Sequence, residues 1–152
     1  QFFKTTFANY ELIASENDRV FEYENRIYRS FMTDQLLLKQ LMTILFDNAI
    51  KYTEEDGKIE FVVHATDRHL YLSVTDNGIG ISAADKKKIF DRFYRVDKAR
   101  TRQKGGFGLG LSLAKQIVDA LRGTITVKDN KPRGTIFEVK IAIQSPPKRK
   151  NK

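Results

Sequence analysis

Three short segments of the sequence carry residues whose types and spacing could do chemistry. In the first, Asn48, Lys51 and Tyr52 fall on neighbouring parts of one face of a predicted helix, because helical residues three or four apart are neighbours. Their amide, ammonium and aromatic ring could meet a nucleotide at a metal ion, a phosphate and a base respectively. These residue types are also ordinary on a solvated helix face, and the spacing alone favours that simpler interpretation.

The second segment predicts a buried carboxylate at the end of a β-strand. The apolar alternation over residues 70–74 puts Asp76 on the same face, where a charge needs partners because burying it unpaired is costly. Gly78 and Gly80 follow, and glycines let the backbone approach a ligand closely. An acceptor-only side chain on a pocket floor suits the exocyclic amine of adenine. On the residues alone, an Asx turn that ends the strand is the more common explanation.

The third segment is rich in glycine and leads into a predicted helix. It reads Gly-Gly-Phe-Gly-Leu-Gly over residues 105–110. Glycines before a helix N-terminus let backbone amides point at an anion, which the helix dipole also favours. The segment lacks the Gly-Lys-Ser/Thr ending of a Walker loop and does not follow the strand of a dinucleotide-binding unit, so neither of those motifs applies.

The elements that must position these segments form an α/β alternation without internal repeats. Hydrophobic periodicity and turn residues predict a mixed sheet with helices on one face. Asp34 is the expected N-cap of the first helix, and Gly123 the C-terminal cap of the last. In chain order the predicted elements are strands over 19–25 and 27–31, a helix from 34 to about 52, a hairpin of strands 59–65 and 70–74, helices over 86–93 and 109–122, and strands over 124–128 and 135–143.

The composition is that of one globular domain of 152 residues. Hydrophobic residues make up 41% of the chain, with 9 Gly and 3 Pro, which argues against disorder and low complexity. The absence of Cys excludes disulfides and thiolate metal sites, and no apolar run approaches the roughly 20 residues that span a bilayer. Because the chain begins at Gln1 rather than Met, we expect it to be a piece of a longer protein.

The net charge of +8 is unevenly distributed. Residues 86–104 carry +7 and residues 144–152 carry +4, which leaves −3 for the rest. The stretch over 86–104 could be a nucleic-acid patch, a lid over a phosphate ligand or a solvated face, and composition alone favours the solvated face. Residues 144–152 are predicted to be a disordered basic tail.

Together and in this order, five segments resemble the N, G1, F, G2 and G3 boxes of sensor histidine kinases, members of the GHKL superfamily. The resemblance covers about residues 19–143. It implies an ATP-binding catalytic domain of the α+β class, a two-layer α/β sandwich (Bergerat fold) with a mixed, mostly antiparallel sheet under three helices and a mobile lid over about 81–108. Residues 1–18 would connect it to dimerisation and phosphoacceptor helices. The segments are DNAIKYT at 47–53, DNGIGI at 76–81, IFDRFYRVD at 89–97, GGFGLGLSLAK at 105–115 and RGTIFEV at 133–139.

The resemblance also implies roles for single residues. Asn48 would coordinate the Mg²⁺ that bridges the ATP phosphates, Lys51 would contact phosphate, Tyr52 would lie against the adenine, and Asp76 would accept a hydrogen bond from adenine N6. The other implied residues are Gly78 and Gly80 in the adenine pocket, Phe90 and Phe93 as lid anchors, Arg95 and Arg100 at the γ-phosphate, Gly106, Gly108 and Gly110 in the phosphate loop, and Ile81, Leu109, Leu111 and Thr135 as further ATP contacts.

Two departures from the family pattern matter. Ile44, four residues before Asn48, stands where the kinases commonly carry a polar residue and the ATPases of the superfamily a water-activating glutamate. Isoleucine cannot act as a base, so hydrolysis of the gyrase or Hsp90 type is disfavoured. The second departure is that the phosphoacceptor helix is not in this sequence, and His64 and His69 are expected to be structural or surface residues.

The sequence therefore predicts the catalytic domain of a two-component sensor histidine kinase. It would bind Mg·ATP and donate the γ-phosphoryl group to a histidine on a separate helical domain. An aspartate of a response regulator would then take the phosphoryl group. The sequence of the lid resembles that of the kinases partnered with OmpR-type regulators. The intact protein would be a bacterial membrane-anchored homodimer with this domain in the cytoplasm, and the piece itself a monomer.

Three alternatives remain. Ile44 keeps open a degenerate nucleotide-binding or scaffold module without efficient kinase activity. An anti-sigma-factor serine kinase is disfavoured by the F box. Nucleic-acid binding through residues 86–104 is more remote, and no nucleic-acid partner is expected.

Overall fold

The computed structural model describes residues 1–92, 94 and 110–146. Within these ranges no helix is both long and apolar enough to cross a membrane. The helices are α1 (Phe2–Glu16), α2 (Gln35–Tyr52), α3 (Ala83–Lys86) and α4 (Gly110–Ala120), and the strands are β1 (Val20–Arg26), β2 (Lys58–Ala65), β3 (His69–Asp76), β4 (Thr124–Asp129) and β5 (Thr135–Ala142).

The five strands form one mixed sheet in the order β1-β2-β3-β5-β4. β1 and β2 are parallel, and the other neighbouring pairs are antiparallel, as predicted for the β2–β3 hairpin. A parallel pair needs a crossover, which α2 supplies between β1 and β2. The predicted strand over 27–31 is wrong because those residues begin this crossover, and next to them Met32 makes only an isolated bridge to Gln144.

One face of the sheet carries the hydrophobic core. The alternation in β2 buries Ile59, Phe61 and Val63 fully, as period-2 patterning predicts. α1 belongs to the same core, since its residue Phe7 is fully buried. Its Tyr10 ring stacks on Phe46 of α2, at 4.3 Å between ring centroids. Residues 1–18, expected only as a connection, therefore contribute a packed helix to the domain.

α2 is built as its sequence predicts. The side chain of Asp34 caps the helix by accepting a hydrogen bond from the Leu37 N–H at 2.9 Å. The helical stripe faces the core, where Leu41 and Leu45 are fully buried. The helix ends at Tyr52, so its C-terminal turn reaches the edge where β3 also ends.

The later helices depart from the predicted bounds. The helix expected over 86–93 is instead the short α3, because Ser82 caps it four residues earlier by accepting from the Asp85 N–H at 3.1 Å. Turns follow as far as residue 92. At the end of α4, Arg122 rather than Gly123 takes the left-handed conformation (φ +58°). Gly123 is required for another reason, since a Cβ there would lie 2.1 Å from the Lys140 carbonyl oxygen.

We expect Asp34→Ala to lower the free energy of unfolding by about 1 kcal/mol, because it removes the only side-chain acceptor seen at the start of α2 in the described structure. Urea unfolding followed by circular dichroism measures this. Asp34→Asn is the matched control, since asparagine caps a helix about as well as aspartate. Equal stability of the alanine variant and the unchanged chain would contradict the capping role.

Candidate ATP-binding site

The site is organised around the buried carboxylate of Asp76. This residue ends β3, is 3% exposed, and lies between Ile59 of β2 and Thr135 of β5 in the sheet. Its Oδ1 accepts a hydrogen bond from the Gly78 N–H at 2.9 Å, and the backbone of Thr135 also hydrogen-bonds to the carboxylate. Burial raises the pKa of Asp76 above its usual value, and these two bonds oppose the rise. The predicted buried carboxylate with partners is therefore present.

The main chain around Asp76 is packed so closely that two positions require glycine. A Cβ at Gly134, whose φ is +112°, would lie 1.9 Å from the Asp76 carbonyl oxygen. A Cβ at Gly78 would lie 2.0 Å from the carbonyl oxygen of Tyr52. Such separations are far below any van der Waals contact, so both glycines are required by close approach of two backbones.

The loop after β3 is tied to three neighbouring segments. The Ile79 N–H donates to the Tyr52 carbonyl at the end of α2 (3.0 Å). Arg133 Nε donates to the Gly78 carbonyl (2.8 Å), and the Lys58 N–H donates to Asn77 Oδ1 (2.8 Å). These bonds connect the loop to α2, β2 and the β4–β5 turn, so the floor of the site is held by the protein's own atoms.

The remaining predicted residues of this loop follow in order. Gly80 is half-buried and adopts φ +77°, a conformation that glycine takes without strain. Ile81 is half-buried against the core. The loop thus leaves the site with its apolar side facing the domain interior.

The end of α2 brings the polar group of the first segment to the same region. Asn48, Lys51 and Tyr52 are all half-buried, unlike the fully buried stripe of the same helix. The Tyr52 carbonyl is the contact that joins this helix end to the loop after Asp76. The end of the helix that carries the predicted polar face therefore adjoins the loop after Asp76.

The N-terminus of α4 lies beside α2. The space where a Gly110 Cβ would be is 3.7 Å from Ile44 Cγ2, one turn before Asn48. The first N–H groups of a helix lack intrahelical acceptors and favour an anion. Leu111, the next residue of α4, is half-buried against the core. A phosphate group between Asn48 and the start of α4 would meet an amide side chain and the positive end of the helix dipole.

The start of the predicted lid contacts the domain. Phe90 packs against Phe137 of β5 in an edge-to-face contact, at 6.2 Å between ring centroids. Lys86 Nζ contacts Asp129 Oδ1 at 2.6 Å. The predicted site residues that lie outside the described part of the chain are Phe93, Arg95, Arg100, Gly106, Gly108 and Leu109.

Three residues that sequence reasoning did not single out hold the site together. Arg133 and Asn130 come from the β4–β5 turn, and Asn130 Nδ2 donates to the Asp76 carbonyl at 3.0 Å. The proximity of Arg133 to Gly134 in the G3-box segment is the signal that could have identified it. Arg19 hydrogen-bonds to the end of α2. The residues around it in sequence do not indicate this role, because its partners in α2 and Thr53 lie more than 30 residues away.

The donor set fits a magnesium ion that is held mainly by a nucleotide. Among the residues that the structure describes, no group of three or more His, Cys, Asp and Glu side chains could hold a metal. Mg²⁺ keeps several waters and commonly binds through one or two protein ligands together with substrate phosphates. The amide oxygen of the half-buried Asn48, one helical turn after the Ile44 side chain that lies near the start of α4, could supply such a single ligand.

The two histidines have structural surroundings. His64 is exposed on β2 and stacks on the Tyr71 ring at 4.6 Å between centroids. His69 is the first residue of β3. Neither lies on a helix, so neither has the setting of a phosphoacceptor.

The comparison with known sequences gives the family directly. Residues 33–145 match the family described as histidine kinase-, DNA gyrase B- and HSP90-like ATPases. The chain is 82% identical over 149 residues to Sensor protein CiaH of Streptococcus pneumoniae, which covers 98% of this chain and 34% of that protein. It is 45% identical over 101 residues to the signal transduction histidine-protein kinase ArlS of Staphylococcus aureus, covering 66% of this chain and 22% of that one. The chain therefore spans only part of the length of these relatives, and its likeness to CiaH supports a sensor of that type.

The fold agrees with solved catalytic domains of the same family. The catalytic domain of the histidine kinase ThkA superposes with a TM-score of 0.77 at 26% identity, over 95% of this chain and 93% of that one. ThkA in complex with the response regulator protein TrrA superposes with a TM-score of 0.74 at 25% identity, over 93% of this chain and 39% of that one. The buried carboxylate of Asp76 and the glycine-containing loop after it both lie within residues 33–145, which match the family. The chain therefore belongs to the histidine kinase-, DNA gyrase B- and HSP90-like ATPases, and within them to the catalytic ATP-binding domains of sensor histidine kinases.

Proposed function

We propose that this domain binds Mg·ATP with the adenine on Asp76 and the triphosphate between α2 and the start of α4. The intact protein would then transfer the γ-phosphoryl group to a histidine on a separate helical domain. An aspartate of a response regulator would take the phosphoryl group from that histidine. The observation that carries this proposal is the buried, main-chain-supported carboxylate of Asp76.

Asp76 is suited to select adenine over guanine. An ionised carboxylate only accepts hydrogen bonds, so it pairs with the N6 amino group of adenine and repels the O6 acceptor of guanine. Discrimination of this kind is strong when the site is buried, because the wrong base leaves the polar group unpaired. At 3% exposure, Asp76 has little water available as a substitute partner.

The phosphate side of the site combines three sources of positive potential. The α4 N-terminus offers main-chain donors, Lys51 offers an ammonium, and residues 86–104 carry a net charge of +7. Asn48 would hold Mg²⁺ together with the phosphates, and the ion when bound neutralises the charge on the transferring group. Arg95 and Arg100 are proposed to act at the γ-phosphate.

The role of this domain in transfer is to orient and stabilise the nucleotide. Phosphoryl transfer needs little covalent chemistry from the protein, and positioning with electrostatic stabilisation supplies most of the catalysis. Ile44 packs against the start of α4 and cannot activate a water molecule. An apolar side chain there disfavours hydrolysis, so the γ-phosphoryl group is kept for the histidine.

The partners follow from the same proposal. ThkA, a similar kinase, forms a complex with a response regulator protein, and we propose that the intact form of this protein acts on one of the OmpR type. We further propose a bacterial membrane-anchored homodimer in which this domain is cytoplasmic and does not itself dimerise. Residues 1–18 would link it to the dimerisation helices, and 144–152 would be a basic tail.

Ile44 favours a second candidate, a nucleotide-binding domain with weak kinase activity. A hydrophobic residue one turn from Asn48 removes one polar side chain from the neighbourhood of the metal. If Asn48 alone does not hold Mg²⁺ in place, the domain would bind nucleotide without productive transfer. Measuring the metal dependence of binding separates the two candidates.

We expect Asp76→Asn to weaken ADP binding roughly a hundredfold, because a buried charged acceptor is lost and an amide group is left facing the N6 donor. The fold should be retained at pH 7. The folded-state pKa of Asp76 is raised above the usual 3.8, so the stability contributed by its protonation is fully present below about pH 3.8 and is lost as the pH rises through the raised pKa. At neutral pH, therefore, removing the charge does not cost stability.

Calorimetric titration with ADP and thermal unfolding of the same samples measure both effects. Asp67→Asn, in the hairpin turn at the far end of β3, is the matched control and should bind as the unchanged chain does. Near-normal ADP affinity in a folded Asp76→Asn variant would contradict the base contact.

We expect Asn48→Ala to remove most of the gain in affinity that Mg²⁺ gives to a non-hydrolysable ATP analogue, a loss of about tenfold or more, while metal-free ADP binding changes little. Calorimetry with and without Mg²⁺ measures the ratio. Gln40→Ala removes an exposed amide from the same helix and is the control. An undiminished metal effect in Asn48→Ala would show that the protein ligand lies elsewhere.

A further inference from the structure

We infer that Arg19 is a positioning residue for the adenine pocket, and this inference rests on the proposed function. Arg19 is half-buried and lies just before β1, in the connection from α1. Its guanidinium crosses to the C-terminal end of α2. There Nη2 donates to the carbonyls of Ile50 (3.2 Å) and Thr53 (2.6 Å), and Nε donates to Thr53 Oγ1 (3.0 Å). Nη1 donates to the Asn17 carbonyl at 2.7 Å.

These bonds satisfy groups that the helix itself cannot. The last carbonyls of a helix have no intrahelical donors, and a cation near them is also favoured by the helix dipole. A planar guanidinium can serve several acceptors at fixed angles, which a flexible ammonium does less well. Thr53 is fully buried and donates its own hydroxyl to the Ala49 carbonyl at 2.8 Å, so Arg19 is bonded to a rigid helix end.

The held segment contains the residue that touches the pocket. Tyr52 lies between the two carbonyls that Arg19 binds, those of Ile50 and Thr53. The Tyr52 carbonyl accepts from the Ile79 N–H at 3.0 Å, and it is the group against which Gly78 is packed. Gly78 in turn donates to Asp76.

Three hydrogen-bonded contacts, joined by short stretches of main chain, therefore connect Arg19 through the end of α2 and the loop after β3 to the carboxylate. If the end of α2 relaxes, the Tyr52 carbonyl moves, and the main-chain donor that supports Asp76 moves with it. Arg19 acts through other groups, because none of its bonds reaches the loop after β3 directly.

Other bonds keep the connection folded without the guanidinium. The Val20 N–H donates to the Gly57 carbonyl at 2.8 Å, and the Asp56 N–H donates to the Asp18 carbonyl at 2.7 Å. Since these bonds involve only main-chain atoms, Arg19→Ala should retain the path from α1 into β1. The variant therefore isolates the contribution of the guanidinium.

The test measures Arg19→Ala against Arg29→Ala, which removes an exposed arginine paired with Asp67 far from the pocket. Two readouts are taken, ADP affinity by calorimetry and hydrogen exchange of the Ile79 amide in the nucleotide-free chain. We expect Arg19→Ala to weaken ADP binding about tenfold and to speed exchange of the Ile79 amide by at least about tenfold. Amides within the β2–β3 ladder should exchange as before, and Arg29→Ala should match the unchanged chain in both readouts.

Unchanged exchange at Ile79 in a folded Arg19→Ala variant would overturn the inference. Faster exchange that extends equally through β2 and β3 would also overturn it, because it would mean general loss of stability. Faster exchange at Ile79 with unaltered ADP affinity would overturn the positioning role. The proposed function fails separately, if the unchanged chain does not bind ADP. Exchange of the Ile79 amide still tests the Arg19 contacts in that case, because it is measured without nucleotide.

Discussion

The cost of burying the Asp76 carboxylate constrains the rest of the site. A charge at 3% exposure must be compensated, and among the described residues the hydrogen bonds that oppose the rise of its pKa come from the main chain of Gly78 and Thr135. Gly134 lets the backbone before β5 approach Asp76, and Gly78 lets the loop that carries the other donor pack against the Tyr52 carbonyl. An ionised carboxylate has about four lone-pair sites, so two main-chain donors leave it capacity for a further donor.

The same constraint explains why the site is shared between distant parts of the chain. The end of β3 supplies the carboxylate, the loop after it supplies one donor, and β5 supplies the other. α2 supplies both the surface on which the loop rests and the polar group at Asn48. The proposed adenine end is built from hydrogen bonds within the protein. The proposed phosphate end would depend on side chains and on residues 86–104, which carry a net charge of +7. Such an arrangement would suit the proposed function, in which the domain holds ATP while its γ-phosphoryl group is presented to another domain.

Much of this could be predicted because the signals are local. The capping side chain of Asp34, the alternation that leads to Asp76 and the leucine stripe of α2 each depend on neighbours within a few residues, and the structure confirms them. The wrong predictions concern features decided elsewhere. Residues 27–31 form no strand because the parallel pairing of β1 with β2 requires them in the crossover. At the end of α4 the left-handed residue is Arg122, whereas Gly123 is required because the Lys140 carbonyl of β5 leaves no room for a Cβ. The bonds of Arg19 to the end of α2 could not be predicted for the same reason, since nothing near Arg19 in sequence indicates them.

A crystal structure of this chain with ADP and Mg²⁺ tests the central claim most directly. The account predicts that the adenine N6 atom lies within about 3 Å of the Asp76 carboxylate, at ordinary hydrogen-bond distance, with the phosphates between Asn48 and the start of α4. Adenine bound elsewhere, with the Asp76 carboxylate making no contact to the base, would contradict it.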